Sequence, residues 1–299
     1  MASKRKSYRI VHLSDLHLTA KDDAKRSEPK LFGHLKGMNE AFRRLLRAPA
    51  VRKADLILVT GDVSDRGDLE AWRVFWDALK DAGALAKVLV VPGNHDVCCL
   101  GARMPLNGAG YSDEDLKKAL DGLKLGGAKQ VKFPWVEQPD DRVAVIGLNS
   151  NNLGNFSAAT NAMGSLSLFQ LSSLASKLHV IRNVPVKILA LHHSPNIPSE
   201  EVEIKRGLKP FTKLDRIGHQ IDAVGASGLQ LLGITHRVRL ILHGHLHRAE
   251  VRRVAGVKIV GAPASTQPMS LEDGGQGLPF FQHTVFGDGG RVVTKLELA

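Results

Sequence analysis

Short apolar runs that stop abruptly at turn-forming or charged residues constrain the fold of this chain more than any other feature. Tyr8–Leu13, Leu56–Thr60 and Val88–Val91 are rich in β-branched and other apolar residues, and each is followed at once by a polar or glycine-containing turn such as Gly61-Asp62. Runs of this length are typical of strands that are buried on both faces. Further strands of the same kind are predicted at Arg142–Leu148, Lys187–Leu191 and Val238–Leu242.

Segments with helical periodicity lie between these runs. Within Asp68–Leu79, the residues Leu69, Trp72, Trp76 and Leu79 recur at helical spacing and form one apolar stripe. Helices are also predicted at Asn39–Leu46 and near Leu166–Leu178. Strands that alternate with helices favour an α/β layered fold with a largely buried sheet.

The last quarter of the chain has the pattern of antiparallel hairpins. Glu250–Val254 and Val257–Gly261 are separated by the turn Ala255-Gly256, and Gln282–Phe286 precedes Arg291–Leu298 across a Gly-Asp-Gly-Gly turn. We find no internal repeat, so we expect a single domain over residues 1–299. Three long loop insertions enlarge it, at about 21–37, 98–138 and 194–226. Each begins after the carboxyl end of a strand, where open α/β sheets place their ligand sites.

Composition excludes several classes of protein. With 43% hydrophobic and 24% charged residues, the chain is neither disordered nor fibrous. No stretch has the length of about 18 apolar residues that a membrane-spanning helix needs. The only two cysteines, Cys98 and Cys99, are adjacent and poorly placed for an ordinary disulfide, and no signal peptide is recognisable, so we expect a reduced, cytoplasmic protein. The net charge of +11 indicates an anionic partner or substrate.

The ends of the predicted strands carry side chains that bind metal ions. The order along the chain is Asp15-Leu16-His17, Gly61-Asp62, Gly93-Asn94-His95-Asp96, His192-His193 and Gly244-His245-Leu246-His247. Taken alone, Asp-x-His is often a surface pair, and adjacent histidines often include one that only packs in a core. Five such turns in one chain, all at strand ends, instead favour a site for a divalent metal such as Mn²⁺, Fe²⁺, Co²⁺ or Zn²⁺.

These motifs resemble those of the calcineurin-like metallophosphoesterase superfamily, and the match runs from Asp15 to His247 with no signature position missing. The resemblance implies a four-layer αββα sandwich of two mixed sheets, with the loop insertions at the active-site face. It also implies two divalent metal ions and hydrolysis of a phosphoric ester by a metal-bridging hydroxide.

The resemblance further implies a role for each motif residue. The first metal ion would be held by Asp15, His17, Asp62 and His247. The second would be held by Asp62, Asn94, His192 and His245, with Asp62 bridging the two ions. The catalytic residues would be His95, Asp62 and Asn94, with His95 placed to protonate the leaving oxygen. Asp96 is expected to orient His95 or His17, and Asp65 is interpreted as part of a solvated turn.

The motifs constrain the substrate class less than they constrain the metal ligands. The His-His-x-Pro segment and Leu148-Asn149-Ser150 resemble the bacterial branch that contains cyclic-nucleotide and glycerophosphodiester phosphodiesterases, although Asn149 stands where that branch often has Asp. We therefore expect a small phosphodiester as substrate. Two alternatives use the lysines and arginines of residues 21–37 and 194–226: a nuclease of the SbcD type, which would bind nucleic acid, or a lipid-headgroup hydrolase that contacts an anionic membrane surface through Phe32 and Leu35. A non-catalytic scaffold is disfavoured because a metal-binding residue is present at every ligand position of the motifs.

Overall fold

The computed structural model describes residues 6–22, 37–97, 120–127, 131–151, 162–271 and 274–299. Within these ranges the chain forms two large mixed sheets and a two-stranded ribbon. The five-stranded sheet has the order β13-β12-β1-β2-β3, and the six-stranded sheet has the order β4-β5-β6-β7-β9-β8. In each sheet a block of parallel strands is bordered by antiparallel ones.

The first sheet is built from both ends of the chain. Its strands are β1 (Tyr8–Leu13), β2 (Leu56–Thr60), β3 (Val88–Val91), β12 (Pro279–Phe286) and β13 (Arg291–Leu298). The helices between them are α1 (Met38–Arg47), α2 (Pro49–Arg52), α3 (Leu69–Asp81) and the short α4 (Asn94–Val97), with a 3₁₀ turn at Leu85–Lys87. Residues 120–125 are also helical. The predicted stripe of α3 is confirmed, because Trp72 and Leu79 are fully buried.

The second sheet follows in the middle of the chain. Its strands are β4 (Trp135–Asp140), β5 (Val143–Gly147), β6 (Val186–Ala190), β7 (Leu240–His243), β8 (Glu250–Val254) and β9 (Val257–Gly261). Its helices are α5 (Leu168–Val180), α6 (Glu200–Lys205), α7 (Lys213–Gly218) and α8 (Ala223–Thr235). The ribbon joins β10 (Met269–Ser270) to β11 (Gln276–Gly277).

Three apolar clusters lie between these elements and define the layers. One cluster packs α1 and α3, through residues such as Phe42 and Phe75, on the outer face of the first sheet. A second fills the space between the two sheets, with Leu58 and Ile188 at its centre. The third packs α5 and α8 on the outer face of the second sheet. The order helix, sheet, sheet, helix confirms the expected four-layer αββα sandwich.

Of the three predicted loop insertions, those at 98–138 and 194–226 need correction. Most of the insertion at 21–37 lies outside the described residues. The segment 98–138 was expected to be a loop throughout, but β4 begins at Trp135 and pairs with β5 at the edge of the sheet, where Pro139 is tolerated. The segment 194–226 contains α6, α7 and the start of α8. Thr212 and Asp215 form a capping box at the start of α7, a local signal that the sequence interpretation missed. Residues 23–36 and 98–119 are not among those described.

In the described part of the chain, none of the helices has the length and apolar character required to cross a membrane.

Candidate metal centre

The predicted ligand residues converge at one edge of the sandwich. Because β1, β2 and β3 are parallel, as are β5, β6 and β7, the turns that follow these strands all emerge on the same side of their sheets. The last of these turns, after β7, brings His245 into hydrogen-bonding range of the first, after β1, since the His245 amide donates to the Asp15 carboxylate at 3.1 Å. The two sheets thus share one polar edge.

One set of converging side chains consists of Asp15, His17, Asp62 and His247, whose candidate ligand atoms all lie within 4.8 Å of one another. The Nε2 atoms of His17 and His247 are 3.1 Å apart, and His247 Nε2 is 3.2 Å from Asp15 Oδ1. Burial lowers the pKa of His17 to about 4, so its ring is neutral at pH 7, which is the form that binds metal ions. This set fits a divalent cation.

A second set consists of Asp62, His192 and His245, again with ligand atoms within 4.8 Å of one another. His192 Nε2 lies 3.2 Å from Asp62 Oδ2 and 2.9 Å from Asn94 Oδ1, so the amide oxygen of Asn94 joins the same group. His192 Nδ1 lies 2.8 Å from the Thr60 carbonyl, to which it donates, and this bond directs Nε2 toward the two oxygens. Asp62 therefore belongs to both sets.

The charges around Asp62 keep its carboxylate ionised. Burial alone would raise the pKa of Asp62, but the nearby histidines, His192 first among them, hold it well below its usual range. Conversely, burial alone would lower the pKa of His192, but the carboxylates of Asp62 and Asp15 and the Thr60 carbonyl together outweigh burial and raise that pKa to about 9. A fully buried carboxylate surrounded by imidazoles is the environment that a bridging metal ligand requires.

The backbone at these positions is strained. Among the described non-glycine residues with positive φ are Asp15 (53°), His17 (47°), Asp62 (50°), His245 (69°) and His247 (50°). Left-handed backbone is uncommon for residues with a side chain and costs roughly 1–3 kcal/mol each. The side chains of Asp15 and His17 meet through these left-handed turns rather than through the alternation of an extended strand.

Two glycines allow the turns to approach one another closely. A Cβ atom on Gly93 would lie 2.1 Å from Asp62 Oδ1, and one on Gly244 would lie 1.8 Å from Ser14 Oγ. A side chain at position 93 would push apart the turns after β2 and β3. A side chain at position 244 would push apart the turns after β1 and β7. The Gly-Asn-His-Asp and Gly-His-x-His motifs therefore need their glycines for packing within the site.

His95 contacts residues of the first set, and its neighbours direct its ring. Its amide donates to Asp62 Oδ1 at 2.9 Å, its Nδ1 is 3.0 Å from the Asp65 carbonyl oxygen, and its ring packs edge-on against His17. Since a carbonyl can only accept, Nδ1 carries a proton, and the ring exchanges its other proton at Nε2. This arrangement suits a histidine that delivers a proton to a reacting group.

Asp96 connects two turns of the site. It is fully buried and accepts hydrogen bonds from the amides of Val63, Ser64 and Gly93, and from Ser64 Oγ, at 2.8–3.2 Å. These bonds tie the turn after β2 to the turn after β3. The expectation that Asp96 orients His95 or His17 stays a prediction.

Asp65 is a site residue that the sequence interpretation missed. It is fully buried, its Oδ1 lies 3.6 Å from His17 Nδ1, and its carbonyl accepts from His95. The available signal was a second carboxylate three residues after Asp62 on the turn leaving the same strand. Carboxylates behind a metal-binding histidine orient its ring and raise its basicity.

We predict that Asp65→Asn lowers the affinity for Mn²⁺ by about 10- to 100-fold, the usual effect of removing such a partner. The affinity is measured by titrating metal-free protein. Asp77→Asn, an exposed change on α3, is the matched control. An unchanged affinity in Asp65→Asn would show that His17 does not depend on this carboxylate.

Three further histidines lie at different distances from the centre. His193 is buried behind His245, with ring centroids 4.6 Å apart, and its Nδ1 is 2.9 Å from Ser150 Oγ. His12 is buried between the sheets, with Nε2 2.8 Å from Thr60 Oγ1. His236 follows the C-terminus of α8, at the opposite edge of the second sheet. None of the three belongs to either described ligand set.

The basic residues proposed for nucleic acid or lipid binding are only partly described. Phe32, Leu35 and most lysines of residues 21–37 lie outside the described ranges. In the segment 194–226, Arg206 pairs with Glu250 at 3.3 Å and Arg216 pairs with Glu203 at 3.1 Å, so both guanidinium groups are committed to internal carboxylates. The nuclease and lipid-hydrolase alternatives stay predictions.

The fold and the site together define a class: an αββα hydrolase with carboxylate, imidazole and amide groups positioned to hold divalent metal ions. The model of the calcineurin-like phosphoesterase family matches residues 8–249, and the chain belongs to that family. It is therefore a phosphoric ester hydrolase.

Comparisons with single proteins agree with this assignment. The chain is similar to a probable cyclic nucleotide phosphodiesterase of Rhodococcus erythropolis, with 27% identity over 91% of this chain and 76% of the relative. It is also similar to a probable glycerophosphodiester phosphodiesterase of Arcobacter nitrofigilis, with 23% identity over 88% and 80% of the two chains. Among solved structures, a dimetal phosphatase from Danio rerio matches with a TM-score of 0.58 at 11% identity, over 96% of this chain and 98% of that one.

Proposed function

We propose that this protein hydrolyses small phosphodiesters, such as cyclic nucleotides or glycerophosphodiesters, at a dinuclear metal centre. The observation that carries the proposal is Asp62, one buried carboxylate that belongs to two converging donor sets. The relatives named as phosphodiesterases support the choice of a diester over a monoester.

In this proposal Asp15, His17, Asp62 and His247 hold one metal ion, and Asp62, Asn94, His192 and His245 hold the other. When bound, two divalent ions act as Lewis acids toward the phosphoryl oxygens and lower the pKa of water enough to supply hydroxide near neutral pH. Ions of the borderline class, Mn²⁺, Fe²⁺, Co²⁺ or Zn²⁺, match the mixed oxygen and nitrogen donors.

The remaining steps depend on side chains of the chain itself. Asn94 presents its oxygen to the second donor set, 2.9 Å from His192 Nε2, which leaves its amide nitrogen to donate to a phosphoryl oxygen. His95 protonates the departing alkoxide through Nε2, since its Nδ1 proton is committed to the Asp65 carbonyl. The Asp62 carboxylate would be shared by the two ions, since it belongs to both donor sets.

A direct test uses metal-free protein supplied separately with each of the four metals. We expect hydrolysis of bis(p-nitrophenyl) phosphate with at least one of them, loss of activity on chelation, and recovery when the metal is restored. The phosphomonoester p-nitrophenyl phosphate is the comparison substrate, and it should be the poorer one. Inactivity toward the diester with all four metals would refute the proposal.

A further inference from the structure

A histidine outside both ligand sets stands beside the candidate metal centre. His219 follows α7, in the segment that was expected to be a loop, and it is partly exposed. The centroid of its ring lies 5.3 Å from that of His245, with the planes tilted by 37°. His219 is therefore one ring away from a proposed metal ligand and lies where a bound substrate can reach it.

A series of aromatic and polar contacts supports the position of His219. The Phe211 ring lies 6.3 Å from the His219 ring at an interplanar angle of 29°, and the Arg248 guanidinium covers Phe211 at 4.7 Å. Arg248 in turn donates at 2.6 Å to Glu203, a fully buried carboxylate on α6. Glu203 also accepts from the Phe211 amide and from Arg216 on α7. The buried Glu203 carboxylate thus connects Phe211 and α7 to Arg248, which follows His247 in the chain.

The tautomer of the neutral His219 ring follows from its backbone partner. Nδ1 lies 2.7 Å from the Asp215 carbonyl oxygen, which can only accept, so Nδ1 carries the proton of the neutral ring. In that tautomer Nε2 is an acceptor, and no hydrogen bond to it is found among the described residues. A substrate group that binds His219 in this form must therefore donate a proton.

This requirement restricts what His219 can recognise. A phosphodiester anion has no proton at neutral pH, so its oxygens can only accept, and they cannot pair with the acceptor nitrogen of the neutral ring. The nearest donor in a small diester is a hydroxyl on the carbon next to the esterified carbon. Ribose has this group beside a 3′-ester, and glycerol has it beside a terminal ester.

We propose that His219 is a specificity-determining residue that accepts a hydrogen bond from a vicinal hydroxyl group of the substrate alcohol. This inference rests on the proposed function, and it adds a substrate class: phosphodiesters of alcohols with a hydroxyl group next to the ester. It assigns to the segment 194–226 a role in selecting the substrate rather than in the chemical step.

The test compares substrate pairs that differ only in this hydroxyl: cyclic AMP against its 2′-deoxy analogue, and glycerophosphocholine against 3-hydroxypropyl phosphocholine. For at least one pair, the wild-type protein should prefer the hydroxylated member by about 3- to 10-fold in kcat/KM, the usual net value of one hydrogen bond. His219→Phe should remove that preference, chiefly through KM. The pair that responds identifies the source of the hydroxyl.

Two controls separate a specific role from damage to the site. Hydrolysis of bis(p-nitrophenyl) phosphate, which has no hydroxyl, should change less than about 2-fold in His219→Phe, and His236→Phe, at the opposite edge, should leave every ratio unchanged. Equal loss on both members of a pair, or no preference in the wild-type protein, overturns this inference. The proposed function would still stand in both cases, because it fails only if no diester is hydrolysed.

Discussion

Asp62→Asn is expected to reduce diester hydrolysis by about 10²–10⁴-fold and to lower the metal content of the purified protein. This range is expected because each of the two donor sets should lose at least the 10- to 100-fold that follows removal of an outer partner of a metal ligand. Asparagine matches the shape of aspartate and keeps the oxygen that accepts from the His95 amide at 2.9 Å. What it removes is the charge facing His192 at 3.2 Å and His17 at 3.8 Å.

Metal analysis, kcat/KM and thermal unfolding of the metal-free protein are measured together for this variant. Asp55→Asn is the matched control, because Asp55 precedes the same strand at its other end and accepts from the Arg9 amide. We expect the control to keep both its metal and its activity. An Asp62→Asn protein with full metal content and near-normal turnover would show that Asp62 does not bridge two ions.

His95→Gln is expected to slow diester hydrolysis to an extent that depends on the leaving group. A general acid contributes about 10²–10⁴-fold when the departing oxygen is strongly basic, as in an alkyl ester. A p-nitrophenolate ion is a much weaker base and needs little help from a proton. The loss should therefore be much larger for alkyl diesters than for bis(p-nitrophenyl) phosphate.

The expected pattern is a plot of log kcat/KM against leaving-group pKa that is steeper for His95→Gln than for the wild-type protein. His193→Gln serves as a comparison, because His193 is buried behind His245 and is not expected to touch the leaving group. Identical slopes for the wild-type and His95→Gln proteins would assign His95 to charge stabilisation instead of proton transfer. Metal content should be unchanged in His95→Gln, which distinguishes this variant from Asp62→Asn.

Much of the fold could be predicted because its signals are local. Six of the predicted strands, among them Leu56–Thr60 and Val88–Val91, have the bounds found in the structure. A run of apolar residues that ends at Gly61-Asp62 combines a buried strand with a turn, and both patterns lie within a few residues. The edge strand β4 was missed because Trp135–Asp140 contains charged residues and Pro139 and lacks that pattern.

The ligand types and their order along the chain could likewise be inferred from the sequence, together with the chemistry that such donors support. The roles of Asp65, Asp96 and His219 could not. Each depends on contacts between segments far apart in the chain: Asp96 bonds to amides more than 30 residues away, and His219 meets His245 only because α6 and α7 fold over the end of β7. A carboxylate on a turn looks the same in a sequence whether it is solvated or buried.

The sequence by itself determined where the strands end and which metal-binding side chains follow them, because apolar runs and the polar residues that interrupt them are properties of neighbouring residues. Only the tertiary structure decided which atoms face one another. His17 and His247 are 230 positions apart, yet their Nε2 atoms are 3.1 Å apart. That distance is set by the packing of two sheets and by left-handed turns whose strain the surrounding fold must balance.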